Sequence, residues 1–218
     1  MDDHHPGGMD WPGEPTIFHP APSPFGIPYR ALYSRNIDNL FCAGRNISVT
    51  HAAMSATRVM ATCALMGQAV GTAAAIASQE GLNPRGIYET QLEELQQILM
   101  EDGCYLPWQN RKIPTLAKQA ELRAAKGNPE PLRNGLDRPV GDQDNGWQAP
   151  LGSWVEYRFS ELQPVRHMRF VFDSDLNRSE KNQPANYPLD AESVTPPETL
   201  VRAFRVEALD DEGVWHVL

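Results

Sequence analysis

The chain is poor in cysteine, which limits the metal chemistry open to it. Its three cysteines are Cys42, Cys63 and Cys104, and no two of them form a CxxC pair. Zinc and iron–sulfur sites need several thiolates at close spacing, so this chain is expected to carry neither. Three unpaired thiols are typical of reduced cysteines in an intracellular protein, some of them buried. We predict no metal site.

The chain also lacks an excess of positive charge. It has 19 Lys and Arg residues against 28 Asp and Glu residues, a formal net charge of −9 at pH 7. Nucleic-acid-binding proteins more often carry a basic patch, and none stands out here. Hydrophobic residues make up 41% of the chain, which suits a folded, cored protein. We expect a soluble protein that does not bind nucleic acid.

A secretory signal peptide is not recognisable, because residues 1–15 are acidic and rich in proline. Residues 59–79 contain no charged side chain and could span a bilayer by length. Their threonines, glutamine and many alanines make them weakly hydrophobic, and no aromatic belt or basic flank follows. We interpret this run as a buried helix and predict a cytoplasmic protein without a membrane partner. Residues 1–15 read as a mid-domain loop and VWHVL as an interrupted strand, so we expect truncation at both ends.

The pattern of residues predicts two domains, 1–112 and 113–218. In the first, residues 27–33 and 40–43 predict strands, the second a short buried strand typical of a parallel sheet. Helices are predicted from about residue 58 to 78 and from about 88 to 100. In the second, short alternating segments between turns predict an all-β sandwich; they are 155–159, 168–172 and 204–208.

The junction between residues 40–43 and the long helix carries groups that suit an anionic ligand. A helix start offers unpaired backbone N–H groups and a partial positive charge, and Arg58 adds a full one. Ser55 or Thr57 is expected to cap this start. Gly44, at the end of the predicted strand, lets a ligand approach the backbone because it has no Cβ. Together these features predict a ligand site.

Residues 27–75 resemble the C-terminal part of a known enzyme family. The motifs are NLFCAGRNIS and TRVMATCALMGQAVGTAAA. They resemble FAD-dependent oxidoreductases of the heterodisulfide-reductase-A-like group, which have the glutathione-reductase-type FAD fold. The resemblance extends over about residues 1–110. It implies an α/β fragment, the C-terminal part of a Rossmann-like FAD/NAD(P)-binding domain, with FAD as cofactor and an unknown small-molecule substrate.

The resemblance also implies which residues approach the flavin. In such proteins the last strand ends in a glycine turn beside the ribityl and pyrophosphate groups, a position matched by Ala43, Gly44 and Arg45. The following helix points its N-terminus at the pyrimidine end of the flavin. The residues matched to flavin O2 and N1 are Ser55, Thr57, Arg58, Val59 and Met60. Reduction places negative charge there, which a helix start and an arginine would stabilise.

Two departures from the family pattern stand out. The GxGxxG that would bind the adenosine diphosphate half of FAD is absent. This chain alone is therefore expected to hold only part of the cofactor. Many relatives of the broader fold have an acidic residue after the glycine, whereas Arg45 indicates a phosphate contact instead.

Histidines are the candidate acid–base groups. Related proteins place an Asp-x-His near the flavin, and Asp2-x-His4 and Asp3-x-His5 match it equally well. A His–carboxylate pair suits the oxidation of an alcohol or amine, although an exposed polar loop is an equal alternative. His51 is a further candidate, with a structural role as the alternative. Two more candidates for the substrate side are Tyr29 and Arg30.

The second domain resembles a galactose-binding-like (discoidin-type) jelly roll. The matching stretches are NGLDRPVGDQDNGWQAP, SWVEYRF and MRFVFDSDLNR. The resemblance implies a carbohydrate partner, on which Trp147 would stack, unless Trp147 only anchors a loop. Asp142, Asp144 and Asn145 resemble part of a calcium loop, but a plain turn is favoured because the bidentate glutamate is missing.

Two functions therefore compete. The favoured one is an FAD-dependent oxidoreductase that positions the flavin for two-electron oxidation of an unknown small molecule, for which a sugar-related compound is one candidate. The alternative is a non-catalytic carbohydrate-binding β-sandwich that retains a vestigial flavin-domain segment. The oligomeric state is not set by the sequence.

Overall fold

The structure is a computed structural model that describes residues 2–4, 12, 16–18, 24–174 and 199–218. The chain divides into two compact units, Met1–Arg158 and Phe159–Leu218. The helices of the first unit are α1 (His51–Thr57), α2 (Met60–Glu80), α3 (Pro84–Gly86), α4 (Leu92–Glu101) and α5 (Thr115–Gln119). Shorter turns are the 3-10 segments Tyr29–Leu32, Gly44–Asn46 and Glu130–Arg133, and a π-helical turn at Ile87–Gln91.

The described strands form three antiparallel pairs. In the first unit β1 (Asp2–His4) pairs with β2 (Thr16–Phe18), and β3 (Glu121–Ala124) pairs with β4 (Val155–Arg158). In the second unit β5 (Glu207–Leu209) pairs with β6 (Trp215–Val217). Segments 155–159 and 204–208 were each predicted to be strands, and each overlaps one. Segment 168–172 does not lie in a strand. The described residues form pairs of strands, and a closed jelly roll is not among them.

Helix α2 forms the centre of the first unit and confirms the predicted long helix, displaced by two residues. One of its faces is buried through Met66, Ala73 and Ile76, in a cluster that includes Leu95 and Leu99 of α4. The helix ends at Gly81, whose φ of 65° is left-handed and whose N–H donates to Ala77 O.

The second predicted helix is present but begins earlier than residue 88. Asn83 caps the start, since its side-chain oxygen accepts a hydrogen bond from Gly86 N at 2.8 Å. Pro84 follows at the first helical position, where its missing N–H costs nothing. Helical conformation then continues from α3 through the π-helical turn into α4, and Leu95 and Leu99 face the core as their spacing predicts.

The strands predicted at 27–33 and 40–43 are wrong. Residues 29–32 form a 3-10 turn, and only one isolated bridge, between Tyr33 and Phe41, joins the two segments. They still lie side by side and antiparallel, because Cys42 N donates to Leu32 O at 2.8 Å. The short turn at 34–39 brings them together in this orientation, whereas a parallel neighbour needs a long crossover.

Residues 110–112, which connect α4 to the following segment, are held by the side chain of Gln97. Its Nε2 donates to Asn110 O at 3.1 Å, and its Oε1 accepts from Lys112 N at 2.7 Å. Lys112 also forms an ion pair with Glu93. Helix α4 therefore fixes the backbone on both sides of residue 111.

The same segment is bound from the other side by the loop at 134–137. Arg111 N donates to Gly135 O at 2.9 Å, and the Arg111 guanidinium pairs with Asp137. The first compact unit accordingly runs through the predicted boundary at 112/113 and continues to Arg158. That residues 1–112 and 113–218 fold as separate domains stays a prediction.

Two features of the described ranges concern a membrane and a metal ion. Helix α2 is long and apolar enough to cross a membrane by length and composition alone, a test that core helices of soluble proteins also pass. Within the same ranges, His, Cys, Asp and Glu side chains do not gather in groups of three or more that could hold a metal ion.

Candidate functional site

The turn at Gly44–Asn46 exists because Gly44 has a φ of +84°, a left-handed conformation that glycine adopts without strain. Ala43 before it is extended, and Arg45 on the turn is exposed. A Cβ at position 44 would lie 4.0 Å from Cβ and Sγ of Cys63 in α2. The glycine turn thus lies beside the first turn of the long helix, with room for a methyl group at Gly44.

A separate short helix precedes the long helix, where the sequence predicted a polar loop. Thr50 begins the separate helix α1 by accepting a hydrogen bond from Ala53 N at 3.3 Å, and α1 ends at Thr57. Arg58 closes α1, while Val59 is extended with φ −72° and ψ 151°. The break between the two helices therefore falls at residues 58–59, inside the set of predicted flavin contacts.

The predicted caps of the long helix are wrong. Val59 precedes α2 and makes no side-chain capping bond. Thr57 is buried, and its hydroxyl donates to Ala53 O at 3.2 Å inside α1. Ser55 is an exposed residue of α1. Because Thr50 starts α1, Ser55 and Thr57 both lie inside that helix, and neither caps α2.

The start of α2 is consequently exposed and electropositive. Its first-turn N–H groups have no side-chain cap and no acidic side chain in the first turn. Met60 is 89% exposed, and Arg58 beside it is exposed. Arg58 forms no ion pair with any residue in the described ranges. An anion could approach this point without displacing a carboxylate.

The charge of the surrounding segment is consistent with an electropositive start of α2. Residues 24–88 contain five arginines and two acidic residues, Asp38 and Glu80, a difference of +3. The whole chain carries −9. The part of the chain that contains the glycine turn and both helix starts therefore has a small positive excess, although the chain as a whole is negative.

The histidine candidates are not brought together with this junction by any described contact. His51 is exposed at the first position of α1. His4 lies in β1 opposite Thr16, with its side chain outside the described part of the structure, and His5 lies outside the described residues altogether.

Tyr29 and Arg30 contribute to packing. Tyr29 is buried, its hydroxyl donates to Pro84 O at 3.0 Å, and desolvation raises its pKa above the ordinary value. The guanidinium of Arg30 lies 5.6 Å from the ring centre of Tyr88, which stacks on Tyr29. These contacts join the turn at 29–32 to the α3–α4 segment.

Cys63 is the residue of the junction that sequence reasoning missed. Its thiol donates to Thr57 O at a distance of 3.7 Å, and its side chain borders the space that a Cβ of Gly44 would occupy. Its position four residues after Val59 places it one turn into α2, close to the helix start. The sequence alone did not show this, because the exact start of α2 was not known.

A second polar region lies in the segment 118–144. An open cleft of about 610 Å³ is lined by polar side chains, among them Lys118, Asn128, Asp142, Gln143 and Asp144. Trp147 donates its indole N–H to Lys126 O at 2.7 Å and packs over Gly127, so it anchors a loop. Asn145 donates to Asp137 O at 2.9 Å, which uses its amide within a turn.

A glycine turn packed beside an uncapped helix start is an arrangement with which enzymes hold the anionic groups of a nucleotide cofactor. Backbone N–H groups and an unpaired guanidinium supply the positive charge, and glycine leaves room for close approach. The residues present thus fit the phosphate or flavin part of a dinucleotide. The arrangement favours a cofactor-dependent enzyme as the class of protein.

Comparison with known proteins indicates which kind of enzyme this is. Residues 1–99 match the family described as FAD dependent oxidoreductase, and the matched segment includes the Gly44 turn, α1 and α2. The match supports an FAD-dependent oxidoreductase enzyme, and FAD is the cofactor that the family implies. No curated protein and no solved structure matches the chain.

Proposed function

We propose that the first unit supplies the ribityl- and pyrimidine-side part of the flavin site in an oxidoreductase of the heterodisulfide-reductase-A-like group. The observation that carries this proposal is the exposed, uncapped start of α2 beside the Gly44 turn. FAD, when bound, supplies two-electron redox chemistry. The residues of this chain bind and orient it, and their positive charge favours its reduced, anionic form.

The two sides of the junction have different roles in this proposal. The turn formed by Ala43, Gly44 and Arg45 binds the ribityl–pyrophosphate, with the Arg45 guanidinium on a phosphate oxygen. The α2 start, with Val59 and Met60, faces the pyrimidine edge of the flavin, and Arg58 adds a full charge there. The Thr57 hydroxyl takes no part in this proposal, because it is already bonded within α1.

His51 is the histidine that we propose as an acid–base group, because it is exposed at the start of α1, the helix that ends at this junction. His4 and His5 remain the alternatives from the Asp-x-His resemblance. A small molecule with an alcohol or amine group is the substrate class that such a base would serve.

FAD titration tests the cofactor proposal. FAD fluorescence is followed while the 218-residue protein is added, for the natural sequence, Arg58→Ala and Arg35→Ala. Arg35 is the matched control, since it is also an exposed arginine without an ion pair among the described residues. We expect Arg58→Ala to weaken binding by about tenfold, the effect of one charged hydrogen bond, and Arg35→Ala to change little.

The reduction potential gives a more direct test of where Arg58 points. Loss of its charge should destabilise the reduced flavin and lower the potential by about 30–60 mV, the two-electron equivalent of one charged hydrogen bond. An unchanged potential in Arg58→Ala would show that this side chain does not face the ring.

A carbohydrate partner is our second proposal, supported by the cleft at 118–144. Asp142, Asp144 and Gln143 line it together with Lys118, a mixture of acceptors and donors that suits sugar hydroxyls. Its volume of about 610 Å³ is large enough for a small saccharide. Calorimetric titration with galactose and its oligomers tests this, with Asp144→Asn expected to abolish the heat and Asp211→Asn to leave it unchanged. Equal heats for both variants would exclude the cleft.

A further inference from the structure

We infer that Arg133 is a positioning residue that fixes the walls of the cleft at 118–144 relative to one another. Three separate pieces of chain form these walls. They are helix α5, which contributes Lys118, the 3-10 turn Glu130–Arg133 and the loop at 142–144. The effect of this link on a ligand rests on the proposed carbohydrate function.

The guanidinium of Arg133 binds the end of helix α5. Its Nη1 group donates to the backbone oxygens of Ala117, Lys118 and Ala120, at 3.1, 3.2 and 2.6 Å. The last carbonyls of a helix have no partner within the helix, and a cation at that end interacts favourably with the helix dipole. Arg133 therefore satisfies the end of α5 from outside and ties it to the turn at 130–133.

The other side of the guanidinium is held by Glu130 in the same turn. Arg133 Nε donates to Glu130 Oε2 at 2.8 Å, and Nη2 donates to Oε1 at 2.7 Å. Two parallel bonds of this kind fix the plane of the guanidinium. The hydrogen bonding to Arg133 also lowers the pKa of the Glu130 carboxyl. Glu130 therefore orients Arg133 toward the backbone of α5.

The next residue, Asn134, connects the third wall. Its Nδ2 donates to Asp144 O at 2.7 Å. Its Oδ1 accepts a hydrogen bond from Leu136 N at 2.9 Å, which fixes the orientation of the amide. Two consecutive side chains thus join the turn at 130–133 to α5 on one side and to the loop at 142–144 on the other.

Core packing does not hold these walls in place. None of the residues of α5 is buried, and the same is true of the turn Glu130–Arg133 and of the loop at 142–144. Ala120, directly after α5, is buried. A helix of five residues is not stable through its own hydrogen bonds. The position of the walls therefore depends on polar contacts, and Arg133 supplies five of them.

The same contacts decide which groups the cleft offers to a ligand. The Arg133 guanidinium and the Glu130 carboxylate are bonded to each other, and the guanidinium also to the backbone. Among the described lining residues, the charged groups left for a ligand are Lys118, Asp142 and Asp144. Because these groups lie on two different walls, Arg133 sets the spacing on which the recognition of sugar hydroxyls depends.

Hydrogen exchange on the protein without added ligand tests the geometry itself. In Arg133→Ala, the amides of residues 118–120 and 132–134 should exchange about ten- to hundredfold faster, the effect of losing a charged hydrogen bond. The amides of α4 should keep their rates. Arg133→Lys should fall between, because an ammonium cannot bind Glu130 through two parallel bonds and reach the α5 carbonyls at once.

Arg123→Ala is the matched control. Arg123 also donates from Nε and Nη2 to a nearby glutamate, Glu121, at 2.9 and 2.7 Å, but it is exposed on strand β3. This variant should change exchange at 118–120 and 132–134 by less than about threefold, the effect of an exposed ion pair.

The exchange rates decide the inference. Faster exchange confined to the two segments in Arg133→Ala supports it. Unchanged rates overturn it, and so does an equal increase in α4, which would show a general loss of stability. If Arg133→Ala does not fold, Arg133→Lys decides, and rates equal to those of the natural protein overturn the inference.

Calorimetric titration with galactose then tests the effect on a ligand. Arg133→Ala should weaken galactose binding at least about tenfold, Arg133→Lys should weaken it less, and Arg123→Ala should leave it unchanged. If the natural protein does not bind galactose, the carbohydrate proposal fails, and hydrogen exchange alone decides the role of Arg133. If Arg133→Ala binds galactose as well as the natural protein does, the carbohydrate proposal stands, and a role of Arg133 in ligand binding is refuted.

Discussion

The contact between Gly135 and Arg111 should make the substitution Gly135→Ala unusually costly for a loop position. Gly135 is buried with a φ of +80°, which costs a residue with a Cβ about 1–2 kcal/mol. A Cβ there would also lie 2.5 Å from Arg111 O and 3.3 Å from Arg111 N, both rigid backbone atoms. Moving that backbone breaks the bond between Arg111 N and Gly135 O, for about 1 kcal/mol more.

The expected loss of unfolding free energy is therefore about 2–3 kcal/mol for Gly135→Ala. In a unit of this size, that corresponds to a decrease of about 4–12 °C in the melting temperature. Gly152→Ala is the matched control, because Gly152 has a φ of +81° but nothing within 4 Å of its would-be Cβ. Thermal unfolding followed by circular dichroism should place Gly135→Ala at least about 2 °C below this control.

Hydrogen exchange locates the damage. Amides at 110–112 should lose protection in Gly135→Ala and keep it in Gly152→Ala. Equal melting temperatures for the two variants would show that the left-handed backbone conformation alone causes the loss of stability, and that the contact of Gly135 with Arg111 adds nothing to it. The interpretation of segment 110–112 as a fixed connection would then be refuted.

Two further predictions follow from single hydrogen bonds. Tyr29→Phe removes the buried bond to Pro84 O and should cost about 1 kcal/mol in urea unfolding; a cost near zero would mean that this hydroxyl is satisfied by solvent. In the β5–β6 hairpin, bonds from Val214 N and the His216 ring lower the pKa of Asp210. That stabilisation is complete above the ordinary carboxyl pKa and is lost as the pH falls through the lowered value. Hairpin NMR shifts should therefore change on acidification in the natural protein and much less in Asp210→Asn; identical titrations would contradict this.

Helices were more predictable from the sequence than strands. The apolar spacing of Leu92, Leu95 and Leu99 and the run of small residues after residue 59 each correspond to a helix in the structure. The strands at 27–33 and 40–43 were not predictable, because a short apolar run does not reveal its partner or its direction. Their actual arrangement depends on one turn and a few backbone bonds.

The local fold around the candidate site was predicted in outline, and its flavin contacts stay a prediction. The motif around Gly44 and the helix after it located the junction, and residues 1–99 match the expected enzyme family. The long helix was predicted to begin at about residue 58, close to its actual start at Met60, but the separate helix α1 was missed because residues 45–54 were interpreted as a polar loop. Gly44 and Cys63 are 19 positions apart, and only the fold shows that they lie near each other.

The two hydrogen bonds of the Gln97 amide have a practical consequence for proteolysis and expression. Residues 110–112 lie at the predicted domain boundary, where a linker would be open to proteases. Cleavage there requires that the end of α4 unfolds and that Arg111 separates from the 134–137 loop. A recombinant fragment that stops at residue 112 would lose that loop as a partner and expose Arg111. A fragment that extends through Arg158 keeps both contacts and should be the more soluble starting material.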